Sequence, residues 1–216
     1  IGKKYNSSPW IKIKNNVVKE HVLKNLKKIY KPVAYSHNTP ILFKNDQYVN
    51  LRAYQNSNNK TINNINNLLS QLYSRKKVKN IFEEYILKTN TNYNLVISCR
   101  FDFLKPITLD LTHIDNEVGR THIYVSNIRQ SNILLPDNFI VLNPVNFLKI
   151  FNMYNDLSII CDSDMIEKEL KKNNIQYILN MEEILLAQVY YHSLKEKVIY
   201  TKDIPDFRYY YTDQNS

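Results

Sequence analysis

Two glycines, Gly2 and Gly119, are all that a chain of 216 residues carries, and that scarcity limits its folding and its chemistry more than any motif it holds. P-loops and dinucleotide-binding fingerprints need several glycines close together, for the tight turn and for the approach of backbone to phosphate. Neither exists in this sequence. A nucleotide bound here must have its phosphates held by a metal ion or by basic side chains.

Periodicity predicts the elements. Val18, Val22, Leu26 and Ile29 recur at helical spacing over residues 16–30, with lysines on the other face, and Lys31-Pro32 stops that helix. "PVAYS" (32–36) and "ILFKN" (41–45) read as short strands, and the Asn-rich stretch 56–67 as a loop running into a helix start. Ile65, Leu68, Leu69, Leu72, Val78, Ile81, Phe82 and Tyr85 predict a long helix from about Thr61 to Lys88. Strands are expected at 94–103, 121–128, 138–144 and 197–201, and helices at about 145–156, 164–173 and 181–195. Strands alternating with helices imply an α/β domain, a sheet with flanking helical layers. No internal repeat is visible.

Hydrophobic residues make up 44% of the chain and charged residues 23%, enough for a sizeable core, and residues 1–216 are read as one domain. No apolar run approaches membrane-spanning length and the start does not resemble a signal peptide, so a soluble, cytoplasmic protein with no membrane span is expected. The first residue is Ile1 and the first methionine Met153; the expectation is a domain incomplete at its N-terminus. Cys99 and Cys161 sit in apolar runs ("VISCRF", "SIICDS") and are expected to be reduced core residues. The net charge of +9 suits nucleic acid, an acidic surface or an anionic substrate. A composition crowded with Asn, Lys, Ile and Tyr explains it too, since the lysines are scattered and follow no single stripe.

The segment "YNLVISCRFDFLKP" (93–106) is the most informative. An apolar run, Leu95 to Ile97, reads as a buried strand and feeds into Arg100 and Asp102. Alternation puts those two charges on one face of the strand and Phe101 and Phe103 on the other. Open α/β sheets bind ligands outside the carboxyl ends of their strands. One carboxylate beside open coordination positions is how Mg²⁺ or Mn²⁺ is usually held, with phosphates and water completing the shell. The plainer account is a structural Arg–Asp ion pair.

"YNLVISCRFDF" resembles the "YDvVIxxRfDl" segment of a group of GT-A-type glycosyltransferases found in large DNA viruses and bacterial surface-polysaccharide clusters. Three further stretches agree in order: "SQLYSRKKVKNIFEEY" before that strand, "LPDNFIVLNPVNF" after it, and "NMEEILLAQVYYHSL" later. Together they span roughly residues 65–200. The usual DxD is reduced here to Arg-x-Asp, Asn143-Pro144 stands where a glycine is common, and residues 1–60 match none of the family's opening strand and basic loop.

The resemblance implies a GT-A-like (Rossmann-like) mixed sheet flanked by helices, with its N-terminal strand or strands missing. It also implies metal-assisted transfer of a sugar from a nucleoside-diphosphate donor to a hydroxyl of a glycan or protein acceptor, with no nucleic-acid partner. In the family the acid at that strand end holds a divalent cation against the diphosphate, a role that falls on Asp102 with Mn²⁺ or Mg²⁺. Arg100 and the helix donors Ser70, Ser74, Arg75 and Lys76 are then candidates for the nucleotide sugar, although a basic helix patch is equally a solvated face. Asp137 and Asn138 are candidates for sugar hydroxyls, and turn chemistry explains Pro-Asp-Asn as well. Glu182 shares a helical face with Leu185, Leu186 and Val189; it and Glu183 are candidate general bases, with helix capping the alternative.

A literal DxD, Asp162-Ser163-Asp164, follows another apolar run. Asp164 and Glu167 have the spacing of a capping box, which assigns them to a helix start. His192 reads as a hydrogen-bonded helix histidine in preference to a metal ligand. The rival from another class is a non-enzymatic nucleic-acid-binding or virion-associated protein using the basic excess and the 12% aromatic residues. A third reading is a degenerate transferase fold kept as a binding module.

Overall fold

A computed structural model describes residues 20–36, 43, 62–99, 111, 112, 114, 116–126, 135–174 and 180–201. The chain divides into two compact units, Ile1–Leu42 and Phe43–Ser216. In the first, α1 (Glu20–Tyr30) ends where Lys31 takes φ 44° and donates its N–H to the Lys27 carbonyl, just before Pro32. Leu26 and Ile29, expected to face a core, are 43% and 69% exposed. Residues 32–36 form bends, not the strand expected there.

In the second unit the described residues form an α/β arrangement: a four-stranded mixed sheet with helices α2 (Ile62–Thr89), α3 (Pro144–Ile150), α4 (Met153–Asp162), α5 (Asp164–Lys172) and α6 (Met181–Tyr191). The strands β1 (Val96–Cys99), β2 (Ile123–Ser126), β3 (Phe139–Leu142) and β4 (Val198–Thr201) lie in the order β1-β3-β2-β4. β3 is antiparallel to both neighbours, and β2 is parallel to β4. Three strands therefore end where β3 begins.

Alternation divides β2 and β3 between two cores. Ile123, Val125, Ile140 and Leu142 pack with residues of α2, α3, α4 and α6, including Leu69, Phe147, Leu157 and Leu185. Tyr124, Phe139 and Val141 pack on the other face with Ile114, Leu95 and Leu111. Both central strands are thus buried on both sides, as their unbroken apolar runs require. β1 differs from the buried strand expected of it. It pairs only with β3 among the described strands, Ile97 is 42% exposed and Cys99 lies at the surface, while Cys161 is buried as expected. A run of three apolar residues specifies an extended segment without specifying how many neighbours it has.

Glycine scarcity leaves a mark on the helix ends. Asn90 after α2, Asn174 after α5 and Ser193 after α6 all adopt positive φ, as Lys31 does after α1. These are the left-handed positions that glycine usually fills. The helix expected over 145–156 is two, because the chain turns at Phe151 and Asn152, whose amide bonds Asp156 and Asn155 to start α4. The helix expected to reach 195 stops at Tyr191, before the left-handed Ser193. No helix among the described residues is long and apolar enough to cross a membrane.

Gly119 is required for a steric reason. It opens a 3₁₀ turn (Gly119–Thr121), and a Cβ at this position would lie 2.2 Å from the backbone oxygen of Ile114. Backbone cannot rotate away as a side chain can. Gly119→Ala should cost about 1–3 kcal/mol, as overpacking does. A shifted denaturant midpoint at constant slope would show it; a midpoint equal to wild type would mean the turn moves freely.

Candidate functional site

Antiparallel pairing of β1 with β3 sets Cys99 opposite Phe139. The residue after Cys99 is Arg100 and the residue before Phe139 is Asn138, so both candidate segments leave or enter the sheet at one end. This is the carboxyl end of β1, β2 and β4, where ligands bind in open α/β sheets. Arg100 and Asp102 lie outside the described residues. Chain length alone keeps the Asp102 Cα within about 11 Å of that of Cys99.

α2 braces this corner. Leu68, Leu72, Arg75, Lys79 and Phe82 recur at threes and fours, so the stripe that begins aliphatic becomes cationic where it passes the sheet end. The Arg75 guanidinium donates to the Asp137 carbonyl at 2.8 Å and lies 3.5 Å from Asp137 Oδ2, with the two side chains 13% and 14% exposed. It also lies 5.4 Å over the Phe151 ring. A partly buried pair of this kind fixes geometry more surely than it adds stability. Arg75 and Asp137, read separately from the sequence as a phosphate ligand and a sugar ligand, thus hold one another.

The other helix donors are not drawn to this corner. Ser70 and Ser74 are exposed, and the Ser74 hydroxyl donates to the Ser70 carbonyl inside its own helix at 2.7 Å. Lys76 and Lys77 lie over the rings of Tyr154 and Tyr73 at 5.1 Å and 5.3 Å, contacts that fix the basic face against α4 and α2 themselves.

Asn138 is 6% exposed, and neither its amide nitrogen nor its amide oxygen has a hydrogen-bond partner among the described residues. The Asn138 side chain therefore makes none of the local backbone bonds by which asparagine often holds a turn. Asn143, at the opposite end of β3, is fully used: its oxygen accepts from Asn146 N at 2.7 Å to cap α3, and its amide donates to the Arg120 carbonyl at 2.8 Å.

Glu182 and Glu183 stand on a separate element, in the first turn of α6, where Asn180 caps the helix by accepting from Glu183 N at 2.9 Å. Glu182 is half-buried, as its helical face predicted, but Glu183 is the more buried at 6% exposure because α6 is enclosed on nearly all sides. The literal DxD is not at a strand end: Asp162 closes α4 and Asp164 opens α5. The N-cap of α5 is Ser163, whose hydroxyl accepts from Ile166 N at 3.3 Å, one residue earlier than the Asp164 cap expected from the sequence.

Sequence reasoning missed Gln188. Fully buried, its amide nitrogen donates to the Lys149 carbonyl at 2.9 Å and Asp156 Oδ2 at 2.7 Å, tying α6 to α3 and α4. His192 Nε2 lies 3.1 Å from the same nitrogen, and burial, partly opposed by Asp156, holds its pKa below the usual imidazole value. His192 is therefore hydrogen-bonded as its position suggested, but it caps the C-terminus of α6 and does not lie within the helix. The signal for Gln188 was a lone amide in "ILLAQVYY". Among the described residues no three His, Cys, Asp or Glu side chains converge to hold a metal ion. Comparisons with family models, with curated proteins and with solved structures find no match.

Proposed function

We propose that the chain is a glycosyltransferase of the GT-A kind, moving a sugar from a nucleoside-diphosphate donor to a hydroxyl acceptor. The observation that supports this most is the register of β1 against β3. It brings the segment leading to Arg100 and Asp102, and the buried corner Asp137–Asn138, to one end of a mixed sheet braced by Arg75. The convergence joins residues separated by about forty positions in sequence, which no local motif would produce.

In this reading Asp102 supplies the carboxylate for Mn²⁺ or Mg²⁺, which offsets charge on a departing diphosphate when bound. Arg100 adds a fixed positive charge near the same oxygens, where bidentate contact with phosphate is strong. Asp137, kept in place by Arg75, and Asn138 face the sugar. A carboxylate on α6, Glu182 or Glu183, takes the acceptor hydroxyl proton if the stereochemistry inverts. The single cation ligand is a sparse protein set, so the donor phosphates complete the shell.

A thermal-shift screen of uridine and guanosine diphosphate sugars, each with and without Mn²⁺, tests this. A ligand that binds the native state raises its stability by about 2.7 kcal/mol at a hundredfold excess over Kd. The melting temperature should rise with one nucleotide family and rise most when Mn²⁺ is present. An indifferent panel, together with tight salt-sensitive binding of an oligonucleotide, would favour a nucleic-acid-binding protein.

A further inference from the structure

Four buried side-chain polar atoms lack a hydrogen-bond partner among the described residues: both amide atoms of Asn138, Gln188 Oε1 and Tyr200 Oη. Gln188 is otherwise well bonded through its nitrogen. Tyr200 Oη is a single orphaned atom on β4, whereas Asn138 leaves both atoms of an amide, donor and acceptor, without a partner at the sheet end. Burying an amide without partners costs stability, and a plain apolar residue at the start of β3 would avoid that cost. Residues that break the local rule without compensation inside the fold are expected at sites that meet a ligand.

Position points the same way. Asn138 adjoins Phe139, the register partner of Cys99, at the carboxyl end of the sheet. The preceding residue is fixed by Arg75 through its own carbonyl, so the buried amide sits on a braced element. A primary amide offers two donors and an acceptor and carries no charge. An anionic phosphate is matched better by guanidinium or ammonium groups, and the Asp137 carboxylate next door further disfavours an anion.

We infer that Asn138 is a specificity-determining residue that reads a neutral ligand group carrying a hydrogen-bond donor and an acceptor side by side. Within the nucleotide-sugar reading above, on which this rests, three parts of the donor have that chemistry: the imide edge of a pyrimidine base, the ribose diol and a vicinal diol of the transferred sugar. Asn138 gives up stability in the unliganded protein for affinity in the liganded one.

The experiment uses Asn138→Ala and Asn138→Val, the second keeping more of the volume should the first leave a harmful cavity. Melting temperature without ligand is measured first, then affinity for uridine diphosphate and for uridine diphosphate glucose. The expected result is an unliganded melting temperature equal to or above wild type, with affinity reduced by about tenfold or more. Loss for uridine diphosphate itself places the group read in the nucleoside, the imide or the ribose diol. Loss confined to the glucose conjugate identifies a diol of the transferred sugar. A lower melting temperature in both variants overturns the assignment, since it means the amide serves the fold; so does unchanged affinity for both probes. If the wild-type protein binds neither probe, this assignment falls, while the nucleotide-sugar reading is decided separately by the guanosine diphosphate sugars of the screen above, measured on the wild type alone.

Discussion

Phe147→Ala should destabilise the protein by about 3–5 kcal/mol, the range for an aromatic removed from a packed core. Phe147 is 1% exposed, stacks on Phe151 at 4.3 Å and meets the edge of Phe82 at 5.1 Å. It stands one turn after the Asn143 cap, so the rigidity of that cap and of Pro144 is what delivers the ring to α2. Removing it leaves a void that backbone held by Asn143 cannot close, which puts the loss toward the upper end. There is a consequence at the sheet end. Phe151 lies under the Arg75 guanidinium at 5.4 Å, so a ring free to sink into the void withdraws support from the group that fixes Asp137. Unfolding by urea, followed by circular dichroism, measures the first effect; a loss below about 1 kcal/mol would show that the neighbours repack and that the aromatic cluster is not the strut described here.

What was legible in the sequence follows from which constraints are local. α2 was readable because its apolar residues recur over seven turns, and the end of α1 because Lys31 meets Pro32. The four strands were found because each is a run of β-branched or aromatic residues. Their limits were less clear: the edge position of β1 depends on strand pairing, which three apolar residues do not encode. The break at Phe151–Asn152 was hidden because the apolar period runs through it, from Phe147 and Ile150 to Met153 and Leu157, all of them buried.

The candidate site divides the same way. Arg75 could have been placed on the buried stripe of α2 from its spacing with Leu72 and Phe82, but its partner lies 62 residues away and no period connects them. Asn138 was singled out beside a proline, where turn chemistry is the ordinary account. Only burial without a partner separates that account from a ligand-reading one. Sequence singled out Arg75 and Asp137 separately and gave no sign that they hold one another.

Asp102→Asn should abolish the Mn²⁺-dependent part of nucleotide binding while leaving the unliganded protein within about 0.5 kcal/mol of wild type, as expected of a carboxylate that serves a ligand and not the fold. Hard divalent cations need anionic oxygen, and an amide oxygen of the same shape lacks the charge that holds one against its hydration shell. A saturated wild type gains about 2.7 kcal/mol at a hundredfold ligand excess, worth roughly 2–4 °C per kcal/mol in a domain of this size. The mutant should lose the increment that Mn²⁺ adds and keep whatever the nucleotide contributes alone. The structural alternative predicts the reverse. If Asp102 serves only to neutralise Arg100, removing its charge strands a guanidinium, and breaking a buried pair costs about 3–5 kcal/mol with ligand response intact. The two outcomes differ in sign on both axes, melting temperature without ligand and the increment with it. A mutant that melts well below wild type and still responds fully to Mn²⁺ would remove the metal from this strand end and with it the glycosyltransferase reading.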